Sequence, residues 1–232
     1  LFTQENVDAA IASSSKSFRV WIDIGTSYRS MATWDLEQNS SLIVIGIDAL
    51  QSNIEHRQQS KSPRFIRVEG ACSTNDVKTK AFQVHASPTC GSLLHTKQGA
   101  PILGSGNNAC TGDQPRIIQV KVFRLSSILR QVQSSFPDVH RIELLKIDVQ
   151  GAELDCLVSG ARRLAKVDNI LLEVQDVVNT SALALYVGAP NLKDLNAFLS
   201  SLEFRLQYCE WNRWTKPIRE LNCLYSKRQG IW

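Results

Sequence analysis

Long apolar runs are missing from this sequence: none approaches the ~18 residues that a membrane-spanning helix needs. Runs of five or more like charges are also missing, because 26 basic and 22 acidic residues are scattered along the chain. The first absence predicts no membrane span. The second does not favour a nucleic-acid partner, despite a net charge of +4. Hydrophobic residues make up 43% of the chain, which is enough for a sizeable globular core.

Metal-binding spacings are missing as well. The six cysteines form no C-x-x-C pair and no Cys/His spacing suited to zinc, and no Asp/Glu/His cluster has metal-like spacing. We therefore predict no metal site and expect the cysteines to be buried free thiols. Cys90 and Cys110 are the exception, because they flank a Gly-rich loop and would close it as a disulfide in an oxidising compartment. The sequence does not fix the compartment.

Strand and helix patterns alternate along the rest of the chain. Residues 1–17 form a polar, Ser-rich lead-in, and residues 18–228 are expected to form a single domain. Alternation of this kind favours crossovers and a parallel sheet. The predicted strands are "FRVWIDIG", "SSLIVIGIDA", "PRFIRVEGACS", "KAFQVHA", "IIQVKVFRL", "RIELLKIDV" and "NILLEVQ". Helices are predicted near 31–37, 52–60, 126–136, directly after Gly151, and near 192–202.

Residues 87–116 interrupt this pattern with Gly, Ser, Asn and Pro. A segment of this length exceeds the ~15 residues at which structureless loops become uncommon. Such a loop is usually a lid, a binding surface or disordered. His85 and His95 bracket its start and would reach a substrate if it is a lid.

The chain ends on two strand patterns, "FRLQYCEW" and "ELNCLYSKR", close enough to pair as a hairpin. Doubly wound α/β folds usually finish on a helix. A final hairpin instead suggests the methyltransferase variant of the doubly wound sheet, which has an antiparallel last strand.

Acidic residues stand where buried strands end. Asp23 and Gly25 follow the first strand, where a tight turn lets backbone N–H groups approach a dinucleotide or S-adenosylmethionine. Asp48 ends the second strand, placed to accept both hydroxyls of a ribose. Either Asp taken alone is more often a helix cap or a turn residue.

Together these stretches resemble the FkbM-type methyltransferases. "VWIDIGTSYRS", "VIGIDALQSN", "GACSTND", "IELLKIDVQGAELDCLVSGA", "ILLEVQ" and "ELNCLYSKR" occur in the family's order from about Phe18 to Lys227. The resemblance implies a class I methyltransferase (Rossmann-like) fold, with a doubly wound, mostly parallel sheet and an antiparallel C-terminal hairpin. It also implies S-adenosyl-L-methionine as cofactor and methyl transfer, commonly to a hydroxyl of a sugar or natural product.

The resemblance also assigns candidate residues. By position, the cofactor turn is Asp23, Gly25, Thr26 and Ser27, the ribose acid is Asp48, and the adenine-side strand end is Cys72 and Ser73. Two departures stand out: Arg29 occupies the place of the family's second turn glycine, and Asp48-Ala49 replaces the usual Glu-Pro. Arg29 would either fill space meant for the cofactor's methionine end or point outward and pair with its carboxylate.

Asp148 is the predicted catalytic base, because it ends the fourth core strand beside the place where methyl group and acceptor would meet. Its alternative role is to accept backbone N–H groups at the start of the next helix. Glu173 is a weaker second base, and Glu153 fits better as a helix-dipole or packing acid.

Two functions therefore remain open. The first is an O-methyltransferase with a small-molecule or glycan acceptor under the loop at 87–116. The second is a catalytically degenerate protein of the same fold that serves as a structural or scaffold subunit with protein partners. Arg29 and the altered ribose motif favour the second function, whereas the intact run from Asp148 to Glu153 favours the first.

Overall fold

The fold was obtained as a computed structural model that describes residues 1–15, 17–74, 77–98, 100, 114–177, 181–211 and 220–227. Its main element is a seven-stranded sheet with strand order β3-β2-β1-β7-β8-β10-β9. These strands are β1 (Arg19–Ile24), β2 (Leu42–Asp48), β3 (Phe65–Glu69), β7 (Ile142–Ile147), β8 (Val167–Gln175), β9 (Arg205–Trp211) and β10 (Glu220–Ser226).

Five of the seven strands run parallel, and the C-terminal hairpin does not. β1, β2, β3, β7 and β8 pair in parallel, whereas β10 lies antiparallel to both β8 and β9. The predicted class I methyltransferase architecture is therefore confirmed. The order reverses at β1, which lies between β2 and β7, and this is the switch point where open α/β sheets bind ligands.

Helices cover the sheet and one small sheet flanks it. The helices are α1 (Gln4–Ala12), α2 (Thr33–Gln38), α3 (Gln51–Ile54), α4 (Leu125–Ser135), α5 (Glu153–Gly160) and α6 (Leu192–Ser201). The small sheet has the order β4-β6-β5, with β4 (Ala71–Cys72), β5 (Thr79–Val84) and β6 (Arg116–Phe123). β2 is buried along its whole length, as expected for a central strand whose sequence, "LIVIGID", is almost continuously apolar.

Two local predictions differ from the structure. The lead-in over 1–17 contains α1, because Val7 and Ala10 share one helical face and are buried in the main core. In place of the helix predicted over 52–60, the structure has the shorter helix α3 (Gln51–Ile54). Its N-cap is Leu50, and no side chain caps it. Ser52 therefore does not cap it, and without a cap or an apolar stripe a short helix gains little stability.

The predicted free thiols are wrong. Cys72 is bonded to Cys156 and Cys209 to Cys223. Cys90 is also in a disulfide, while Cys110 lies outside the described residues. The Cys72–Cys156 partners come from different elements 84 residues apart, so no local spacing in the sequence signals this pair.

Candidate functional site

The first turn of the site follows β1 and touches the end of β7. Gly25 has φ +81°, and its N–H donates to the Ile47 carbonyl oxygen at 2.8 Å. A Cβ at Gly25 would lie 1.8 Å from the Asp148 carbonyl oxygen, closer than real atoms approach. Glycine is therefore required here by both its φ and the approach of the two strand ends.

A buried glutamine braces the outer part of this turn. Gln59 Nε2 donates to the Ser27 carbonyl oxygen at 2.9 Å and to Thr26 Oγ1 at 3.2 Å, while its Oε1 accepts from the Ser30 N–H at 2.8 Å. Ser27 itself has φ +53°, which is uncommon for a residue with a side chain. The carboxamide thus holds a turn that has one glycine. Sequence reasoning missed Gln59, because a glutamine in a polar segment gives no signal of its role.

Arg29 is exposed at the surface of the turn. Both alternatives for this residue stay predictions: an exposed side chain would either fill space meant for the cofactor's methionine end or pair with the cofactor's carboxylate. Tyr28 beside it contacts the His56 ring, with centroids 5.1 Å apart.

Asp48 is held by donors from the protein itself. Its Oδ2 accepts from the Ser27 N–H at 2.9 Å, and its Oδ1 accepts from the Leu50 N–H at 2.9 Å and from Asn53 Nδ2 at 3.1 Å. The side chain is only 8% exposed, and burial raises its pKa to about 6 against these hydrogen bonds. A carboxylate has about four acceptor positions, so roughly one is left for a ligand rather than the two that a pair of ribose hydroxyls would need.

A lysine that sequence reasoning missed joins the strand ends at the switch point. Lys146 Nζ donates to the Gly25 carbonyl oxygen at 2.9 Å and lies 3.2 Å from both Asp23 Oδ1 and Asp148 Oδ2. Ser30 Oγ donates to the other oxygen of Asp23. The available signal was strand parity, because Lys146 stands two residues before Asp148 and so projects from the same face of β7.

Asp148 remains 23% exposed beside this lysine. Gln150 Nε2 bridges it to the next strand, lying 3.1 Å from Asp148 Oδ1 and 2.8 Å from Glu173 Oε2. Burial raises the pKa of Asp148, but the positive charge of Lys146 together with hydrogen bonds from Glu173, Lys146 and Gln150 leaves that pKa below its usual value. Asp148 is therefore ionised at neutral pH and reachable from solvent.

The pKa of Glu173 is shifted in the direction opposite to that of Asp148. Burial first, and then the negative charges of Asp148 and Glu220, raise the pKa of Glu173 well above its usual value. A protonated carboxyl group donates rather than accepts a proton. This arrangement does not support Glu173 as a second base.

Glu153 closes the turn that follows β7. Its Oε1 accepts from the N–H groups of Val149 at 3.1 Å and Gly151 at 3.0 Å. The side chain is 3% exposed, and burial raises its pKa to about 7. Glu153 is thus a packing acid that shapes the turn.

Cys72 and Ser73 contribute little open surface at the adenine-side strand end. Both are 1% exposed, and Cys72 Sγ is taken by Cys156. The Ser73 N–H donates to the Phe123 carbonyl oxygen at 3.0 Å. Their contact with a cofactor stays a prediction and would have to use the main chain.

The described part of the long loop lies against the end of β7. Ser92 Oγ donates to the Gln150 carbonyl oxygen at 2.7 Å. The Tyr186 hydroxyl lies 3.2 Å from Gln150 Oε1 and 3.0 Å from the Cys90 carbonyl oxygen, and Thr96 forms a β-bridge with Tyr186. Residues 101–113 of the predicted lid lie outside the described part of the chain.

The hydrogen bonds of the two loop histidines are made to Thr96 and Gln83 rather than to Asp148. His85 is buried, with Nε2 2.9 Å from Thr96 Oγ1, and burial lowers its pKa. His95 Nδ1 lies 2.7 Å from Gln83 Nε2. Both therefore help to hold the loop.

The model of the methyltransferase FkbM domain matches residues 23–206, which include the turn, the ribose acid and the run from Lys146 to Glu153. The chain belongs to the FkbM methyltransferase family. No curated protein sequence matches it.

Solved structures that resemble this FkbM domain share its fold. Magnesium protoporphyrin IX methyltransferase (ChlM) from Synechocystis PCC 6803 is 8% identical, with a TM-score of 0.49 over 97% of this chain and 79% of that one. M. capricolum TrmK is 12% identical, with a TM-score of 0.43 over 99% and 70%. A pericyclic reaction enzyme is 11% identical, with a TM-score of 0.44, and the chain spans only 47% of its length. At such values the likeness carries no argument about function.

Within the described residues, none of the helices combines the length and apolarity that a membrane span needs. The same part of the chain holds no group of three or more His, Cys, Asp or Glu side chains arranged to bind a metal ion.

Proposed function

We propose that this chain is an S-adenosylmethionine-dependent O-methyltransferase that acts on a hydroxyl of a sugar or small natural product. The observation that carries the proposal is Asp148: an ionised, solvent-reachable carboxylate at the switch point of an FkbM methyltransferase domain. The acceptor would approach it beneath the segment around Tyr186 and the described part of the loop.

The residues present fit the cofactor at the turn and, in part, at the ribose. Gly25 lets the ends of β1 and β7 approach closely enough to form the turn, and its place cannot be taken by a larger residue. Asp23, Gly25, Thr26 and Ser27 would line the turn. Asp48 would accept one ribose hydroxyl through its remaining acceptor position. When bound, S-adenosylmethionine supplies an electrophilic methyl group on its sulfonium.

Asp148 would orient the acceptor and hold its proton. Lys146 and Gln150 fix its two oxygens at 3.2 and 3.1 Å, so the carboxylate is preorganised to accept a hydrogen bond from the hydroxyl. A carboxylate with a low pKa is a weak base toward a free alcohol. It suffices here because the hydroxyl proton becomes strongly acidic as its oxygen bonds to carbon. Alignment therefore supplies most of the rate, and Asp148 takes the proton late.

One observation favours the scaffold function instead. Asp48 is nearly buried and already bonded to three donors of the protein, so the ribose site is partly filled by the chain itself. If those bonds persist in solution, the chain would keep the fold without the cofactor and would act through protein partners. Fold alone does not decide between these functions.

The test is release of S-adenosylhomocysteine on addition of hydroxyl-bearing acceptors, from neutral sugars to phenols. With an acceptor found, Asp148→Asn should lower kcat about 10²- to 10⁴-fold, because it removes the base without changing its size. Asp155→Asn makes the same chemical change on the exposed face of α5 and should leave kcat unchanged. Full activity of Asp148→Asn would show that another group takes the proton.

A further inference from the structure

Lys146 occupies a position where three groups of the site converge. It lies on β7, where it is paired in register with Asp23 of β1, and stands two residues before Asp148, which directly follows β7. Its ammonium donates to the Gly25 carbonyl oxygen at 2.9 Å and to Asp148 Oδ2 at 3.2 Å, and it forms an ion pair with Asp23 Oδ1 at 3.2 Å. The side chain is 12% exposed, so water screens its charge only weakly.

The other titratable groups that face Asp148 are acids. Asp23 comes from β1, Glu173 from β8 and Glu153 from α5. Glu220 from β10 adds a further negative charge next to Glu173, and the Tyr186 hydroxyl closes the same cluster. Among the described residues, Lys146 is the cation that makes an ion pair with Asp148.

We propose that Lys146 is a positioning residue of the methyl-transfer site: its ammonium fixes the ends of β1 and β7 relative to each other and keeps the Asp148 carboxylate charged beside the acceptor. This inference rests on the proposed function, because it assigns a role within the same site. It also explains how an aspartate surrounded by acids stays ionised, since an opposite charge within 4–6 Å favours the charged form by one to three pKa units.

A merely structural role for Lys146 would give a different result. Loss of any buried ion pair lowers stability, so a lower melting temperature does not distinguish the two roles. The pKa of Asp148 does distinguish them, because only the proposed role predicts that this pKa rises when the ammonium is removed.

The experiment is carboxyl ¹³C NMR of the whole chain without ligand, with the Asp148 signal assigned by its loss in Asp148→Asn. In the unaltered protein Asp148 should titrate below the usual aspartate range. In Lys146→Met its pKa should rise by at least one unit, which is a tenfold change in proton affinity. Lys146→Arg should restore the low value, because it returns a cation to the same place.

Arg141→Met is the matched control. Arg141 directly precedes β7 and forms an ion pair with Asp168 of β8, at the end of β7 that lies away from Asp148. Its loss therefore removes an ion pair without changing the charge at Asp148. The pKa of Asp148 should then stay unchanged. An equal shift in Arg141→Met and Lys146→Met would overturn the proposal.

Failure of the role proposed for Lys146 can be distinguished from failure of the proposed function. If Lys146→Met does not fold, Lys146→Met/Asp23→Asn removes one of the two acids left without their cation, and the same upward shift is expected. An unchanged pKa in either variant overturns the role of Lys146, even in a protein that binds S-adenosylmethionine. Absence of cofactor binding in a parallel titration overturns the proposed function and with it the catalytic meaning of the charge.

Discussion

Gly25 and Gly188 offer a direct test of how tightly the first turn is built. Both have φ +81°, but a Cβ at Gly25 would lie 1.8 Å from the Asp148 carbonyl oxygen, whereas a Cβ at Gly188 would meet nothing within 4 Å. Alanine at either position has to adopt a left-handed conformation, at a cost of about 1–2 kcal/mol. Only alanine at Gly25 also has to move two pieces of main chain apart by more than 1 Å.

The clash at Gly25 cannot be relieved by a side-chain rotation, because the atom met is a main-chain oxygen. Overpacking of this kind typically adds about 1–3 kcal/mol or more. We therefore expect the free energy of unfolding to fall by about 2–5 kcal/mol in Gly25→Ala and by about 1–2 kcal/mol in Gly188→Ala. Urea unfolding, with a check that the m-values agree, measures both. Equal losses in the two variants would refute the claim that β1 and β7 are in contact at this turn.

Three further predictions concern charge, cross-linking and access. Because burial raises the pKa of Asp48 to about 6, the folded chain holds a proton that the unfolded chain releases. Asp48 should therefore account for a loss of roughly 3 kcal/mol of stability as pH rises from below 4 to above 6, in addition to the losses from Glu153 and Glu173, and Asp48→Asn should remove that part of the slope in urea unfolding; a curve of unchanged slope would contradict the burial argument. Replacing both cysteines of the 84-residue Cys72–Cys156 pair by serine should cost about 4–5 kcal/mol, against about 3 kcal/mol for the 14-residue Cys209–Cys223 pair; the reverse order in thermal melts would contradict the loop-entropy reasoning. Arg29→Ala should weaken S-adenosylmethionine binding about two- to fivefold, because an exposed guanidinium that pairs with the cofactor's carboxylate contributes up to about 1 kcal/mol; a tenfold gain in affinity would show that Arg29 blocks the site.

The sequence predicted the strands and the acids at their ends because both depend on local pattern. β2 and β7 combine apolar runs with a terminal aspartate, and such runs place that aspartate at the rim of a sheet in any doubly wound fold. The C-terminal hairpin followed from two strand patterns at the end of the chain. Those features predicted the confirmed fold, whereas the family was identified by the resemblance of several stretches, above all the run from Lys146 to Glu153.

The parts that escaped prediction are contacts between distant segments. Gln59 reaches the turn from 32 residues away. Strand parity places Lys146 on the same face as Asp148, but its position beside Asp23 depends on the pairing of β1 with β7. The hydrogen bonds that occupy most of the Asp48 carboxylate come in part from Ser27, 21 residues before it, and Asn53, five residues after it. No periodicity or spacing encodes such convergence, because side-chain partners are chosen by tertiary packing.

The central claim is that this rim binds S-adenosylmethionine, and calorimetric titration of the whole chain with that compound tests it most directly. Asp48→Ala serves as the paired variant, because it removes the predicted ribose acceptor together with the bonds that hold it. The proposal predicts saturable binding with one site per chain and at least a tenfold weaker dissociation constant in Asp48→Ala. No binding at millimolar cofactor would contradict it and leave the scaffold function as the better account.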